Sequence, residues 1–108
     1  MIIRSKTFEQ WLRANFYHSE LEDITNHGCA SGFPGLTYYS DTVKLFERFK
    51  DEIFDLLVEE SEALGYDNIY QFMASFNAGY MPSDYTTFAN QMTWYAAETY
   101  ARRIVEED

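Results

Sequence analysis

Apolar positions recur along this chain at the three- and four-residue spacing of helices rather than in alternation. In "TFEQWLRANF", Phe8, Trp11, Leu12 and Phe16 share one helical face, and Thr7 with Gln10 has the form of a capping box. In "SELEDITNHG", Ser19 and Glu22 suggest a second box, Leu21 and Ile24 supply apolar contacts, and Gly28 is placed to end the helix; the two segments can equally be read as one bent helix. A third and longer helix is expected over "SDTVKLFERFKDEIFDLLVEESEALG". Ser40 would cap it, Asp41 complements its dipole, Gly65 would terminate it, and Val43, Phe46, Phe49, Ile53, Leu57 and Leu64 form its stripe. A fourth, "DNIYQFMASFNAG", would be capped by Asp67, with Ile69, Phe72, Met73 and Phe76 as its stripe and Gly79 near its end. A last helix is expected from Ser83 or Asp84 to about Glu106.

No segment alternates convincingly with period two, so the pattern predicts an all-α fold: a compact bundle of four to five helices in a single domain over residues 1–108. Between the second and third helices lies "HGCASGFPGLTYYSD", where glycines, a proline and tyrosines cluster. Its Gly-Phe-Pro-Gly centre is turn chemistry and reads as a joint, with a short extended piece at Leu36 to Tyr39 as the one exception to helix. A rival reading exposes Tyr38 and Tyr39 as anchors for a partner.

The last helix is apolar on two sides. Tyr85, Phe88, Ala89, Met92, Tyr95 and Ala96 make one face, and Trp94, Ala97, Ala101, Ile104 and Val105 another nearly opposite. Such a helix is either central to its own domain or shared with a second subunit. On the second reading Trp94, Ala97, Ala101 and Val105 form an oligomer or apolar partner face, and a homodimer follows.

Charge sharpens this picture. Residues 1–50 carry six acids and six bases, whereas residues 51–108 carry twelve acids and two bases, Arg102 and Arg103, so the whole net charge of −10 arises in the second half. Such a field repels nucleic acid and anionic membranes and attracts basic proteins. Within the third helix, Asp51, Asp55, Glu59 and Glu62 fall within about 80° of one another, opposite the apolar face. Like charges at this spacing cost a few tenths of a kcal/mol per pair, and no base follows within the helix to relieve them. The stripe is either an ordinary solvated face or a surface for a basic partner, with Asp67 just beyond it. Its charges advance about 6 Å per step against one per roughly 1.7 Å of duplex axis, so alone it is too sparse to imitate nucleic acid. Imitation needs further columns, from Glu52, Glu60, Asp67, Asp84, Glu98 and the C-terminal acids, or from a second subunit.

Catalytic and metal chemistry find little support. His18 and His27 lack ligand spacing, Cys29 lacks the partner pairs of a zinc site, and neither an EF-hand loop nor a Glu-x-x-His pair is present. Cys29 with a histidine and Asp23 is a thin basis for nucleophilic catalysis, because a lone cysteine among Gly and Ala is usually a small buried hydrophobe. The expectation is a non-enzymatic protein without cofactor or metal. "MIIRSKTFEQW" holds neither a signal-peptide core nor a membrane span, and one cysteine suits a reducing compartment, so a cytoplasmic location is expected.

The runs "HGCASGFPGLTYYSDTVKLFERFKDEIFDLL", "GYDNIYQFMASFN" and "WYAAETYARRIVEE" resemble a family of small acidic proteins of bacteriophages and other mobile elements. The resemblance implies a phage or mobile-element setting in a bacterial host and carries over no functional residue. In size and charge the chain is also similar to anti-CRISPR and antirestriction proteins. Together these give the leading expectation: a stoichiometric inhibitor whose acidic residues Asp51, Asp55, Glu59, Glu62 and Asp67, with Tyr38 and Tyr39, engage a basic surface of a CRISPR effector or restriction enzyme. The alternative is an assembly, regulatory or antitoxin-like module that binds through the Trp94 face.

Overall fold

A computed structural model describes residues 7–27, 39–75 and 84–107. All regular elements among them are helices: α1 (Phe8–Asn15), α2 (His18–His27), α3 (Tyr39–Arg48), α4 (Lys50–Ala63), α5 (Ile69–Ala74) and α6 (Tyr85–Glu107).

The local chemistry accounts for most boundaries. Thr7 and Gln10 form the expected capping box, the threonine hydroxyl accepting from the Gln10 N–H at 3.1 Å. The chain then turns extended at Phe16, so α1 and α2 are separate helices. In place of the expected Ser19/Glu22 box, α2 already begins at His18, the Tyr17 N–H donates to Glu20 at 2.9 Å, and Glu22 meets His18. At α5 the cap is Asn68 rather than Asp67: the Asn68 side chain accepts from the Gln71 N–H at 3.0 Å. Asp84 caps α6 by accepting from the Thr87 N–H.

The long third helix is divided. Phe49 (φ −114°, ψ 25°) separates α3 from α4, and Tyr39 already belongs to α3, which places Ser40 inside the first turn. Hydrogen bonds from the Phe49 N–H to Leu45 and from the Ile53 N–H to Phe49 persist on either side, so the axis kinks without unwinding. At the kink the buried Phe49 ring stacks on Phe8 of α1, centroids 5.3 Å apart, and the Arg48 guanidinium covers it at 4.8 Å. This division takes the count to six among the described residues. Gly65 ends α4 at φ 83°, with the Tyr66 N–H reaching back to the Ser61 carbonyl.

Helix α6 is the axis of the core and packs against α1, α2, α3 and α4. Both of its apolar sides are covered within the chain: Ala89, Met92 and Ala96 on one, Trp94, Ala97, Ala101 and Ile104 on the other, all buried, with Val105 packed against the same cluster. The alanines let neighbouring helices approach closely, which is why a helix of low amphipathicity sits at the centre. A polar seam ties it to α3, where the Thr42 hydroxyl donates to Asn90 at 2.8 Å and the buried Thr93 hydroxyl to the Thr42 carbonyl at 3.2 Å. Of the expected α3–α4 stripe, Phe46, Phe49, Ile53 and Leu57 are buried, but Leu64 is exposed, because α4 ends there. The Gly/Pro segment between α2 and α3, Phe76 and Gly79 lie outside the described residues.

Candidate acidic docking surface

Helix α4 buries Ile53, Leu56, Leu57 and Ser61 and turns Asp51, Asp55, Glu59 and Glu62 to solvent. Asp67, past the helix end, is also exposed. Among the described residues no ion pair reaches Asp51, Asp55, Glu62 or Asp67. Glu59 differs: Arg103 of α6 approaches it at 3.9 Å and Glu60 at 3.5 Å, so the stripe is relieved at one point by a base from another helix. The last turn of α4 still carries acids and no base, against the helix dipole, a placement that costs roughly 0.3–1 kcal/mol per charge.

Val58 is 42% exposed and flanks this stripe about midway along its length. Three residues after Asp55 and four before Glu62, it falls with Asp51, Asp55 and Glu62 inside an arc of about 60°. Leu64 and Tyr70, at 59% and 62%, are exposed near the end of α4 and on α5. The spacing of Val58 is legible in the sequence; that the kinked helix leaves it outside the core is not.

Several of the other described acids that could extend the stripe also serve the fold. Glu52 accepts from the Phe8 N–H at 2.9 Å, satisfying a donor of the first turn of α1, and also from the Tyr100 hydroxyl. Glu60 accepts from the Tyr95 hydroxyl at 3.3 Å, Asp84 caps α6, and Glu107 pairs with Arg13. Glu98 is half-buried, and burial pushes its carboxyl above the ordinary range, with Arg102 offsetting this in part.

Burial, reinforced by the neighbouring Glu60, lifts the Tyr95 phenol from 10.0 to about 12; burial and Glu52 raise Tyr100 as well. A raised folded-state pKa means that the native protein holds these protons more tightly than the unfolded chain. Stability is fully present below pH 10 and declines as pH rises towards 12. Urea midpoints measured across that interval should fall, and Tyr95→Phe should make the fall shallower.

Of the expected contact residues, Tyr38 lies outside the described residues, and Tyr39 opens α3 with its side chain outside the description. Of the expected apolar partner face, Trp94, Ala97 and Ala101 are 7%, 0% and 0% exposed, and Val105 is half-buried against the same core cluster. Among the described residues no three His, Cys, Asp or Glu side chains converge as a metal site, and no helix is long and apolar enough to cross a membrane. The depression at the α3–α4 kink, about 400 Å³, is lined by Glu47, Arg48, Phe49, Lys50, Asp51 and Glu52, whose charges largely cancel.

Fold and surface together define an acidic helical domain with one largely unpaired charged helix face. The chain belongs to the DUF7222 family, a domain of unknown function, which matches residues 2–108. No curated protein and no solved structure matches it.

Proposed function

We propose that this protein acts by stoichiometric binding, laying the solvent face of α4 on a basic, normally nucleic-acid-binding surface of another protein and so blocking it. The observation that carries this reading is the set of exposed, unpaired carboxylates of Asp51, Asp55 and Glu62 beside the exposed Val58. Charges of one sign raise the encounter rate with an opposite surface, and an apolar group beside them supplies contact that salt does not screen. Asp67 extends the field, and Tyr70 and Leu64 are candidate anchors. In this reading the target is a bacterial defence protein, a CRISPR effector or restriction enzyme, met in the cytoplasm. That setting rests on the resemblance read from the sequence to small acidic phage and mobile-element proteins. The protein itself performs no chemistry and needs no cofactor.

The test is capture from a bacterial lysate on the immobilised protein, washed at low and then at high salt. A basic nuclease or CRISPR component that elutes as salt rises is the expected result; recovery of salt-resistant neutral proteins alone would reject the reading.

A further inference from the structure

The acidic face is unpaired except at Glu59, where a base from another helix reaches it. Arg103 projects from α6 with its guanidinium 3.5 Å from Glu60 and 3.9 Å from Glu59, and 5.8 Å from the centre of the Tyr100 ring. Two carboxylates and an aromatic face are the surroundings in which a guanidinium binds well, through charge, hydrogen bonding and stacking. The arginine is itself about half exposed, as is usual for a pair of small net worth, so it can leave at little cost. Its neighbour Arg102 is also exposed, yet it reaches neither Glu59 nor Glu60 and acts electrostatically on Glu98 and Tyr95 instead.

We propose that Arg103 is an internal placeholder: it occupies an arginine-binding subsite formed by Glu59, Glu60 and Tyr100, and an arginine of the basic partner displaces it on docking. The proposal rests on the acidic-face reading and adds to it the chemistry of the partner, arginine-rich rather than merely basic, and a competing contact built into the fold. Tyr95 keeps its own hydrogen bond to Glu60 when Arg103 departs, so Glu60 is not left bare.

The experiment compares binding of a labelled oligoarginine peptide to wild type, Arg103→Ala and Arg102→Ala by fluorescence anisotropy at low salt. Both variants lose one positive charge, so the general field changes equally. Arg103→Ala should bind roughly threefold to fivefold more tightly than wild type, the factor expected when one exposed ion pair no longer competes, and Arg102→Ala should change much less. Adding Glu59→Gln to Arg103→Ala should remove most of the gain. Equal gains in the two arginine variants, or none in Arg103→Ala, would overturn the placeholder role while leaving the acidic-face reading standing. If the peptide binds no form of the protein, both fail together.

Discussion

Replacing Ala97 by Glu should unfold this protein. Ala97 is fully buried on α6, on the side shared with Trp94, Ala101 and Ile104, where α6 meets its neighbouring helices. A carboxylate there has neither water nor a base, and an unpaired buried charge costs several kcal/mol, to which overpacking adds about 1–3 more. Domains of this size are held by about 5–15 kcal/mol, so the sum removes most or all of the stability. Circular dichroism on heating should show loss of the cooperative transition or a fall of tens of degrees in Tm. The same substitution would have a different meaning if α6 shared its second face with another subunit: the variant would stay folded and become monomeric. A folded variant with altered sedimentation would therefore restore the dimer seam and contradict the burial of this face.

The second large effect is expected in binding and not in stability. Reversing Asp55 and Glu59 to Lys adds two positive units at each position and takes the net charge from −10 to −6. Both side chains are exposed, and Asp55→Lys places an ammonium one turn from Asp51, an arrangement that favours the helix slightly. The fold should survive with a change in Tm of a few degrees at most. Against a basic partner each reversal exchanges attraction for repulsion at about 1 kcal/mol, so the pair should weaken association about tenfold to thirtyfold. Its salt dependence should flatten at the same time, because fewer opposed charges remain to be screened. Unaltered affinity in a folded double variant would remove the α4 face from the account.

The helices themselves are plain in the pattern of apolar residues, since Phe8, Leu12, Ile53, Leu57, Phe72 and Met92 fall at helical spacing and all are buried. The kink at Phe49 is not, because Phe46, Phe49 and Ile53 keep that spacing through it and its partner, Phe8, lies far away in sequence. Caps are legible in kind but slip in position: Glu20 serves Tyr17, and Asn68 takes the place of Asp67. The two-sided α6 is recognisable from sequence, yet periodicity alone leaves open whether its own chain or a second one covers it. Contacts with α1, α2, α3 and α4 bury much of both sides within the chain. The acidic stripe is equally visible as an exposed face, whereas its relief by Arg103 and the structural engagement of Glu52 and Glu60 depend on contacts between residues more than thirty positions apart. Local spacing carries no information about such contacts.

The most direct measurement is the equilibrium affinity of the captured partner for the wild-type protein over a series of salt concentrations. If the α4 face docks on a basic surface, the association constant should fall steadily as salt rises, with a residual affinity at high salt from Val58 and neighbouring apolar contacts. An association constant that holds constant across the series would contradict the account, leaving the carboxylates of α4 as a solvated helix face.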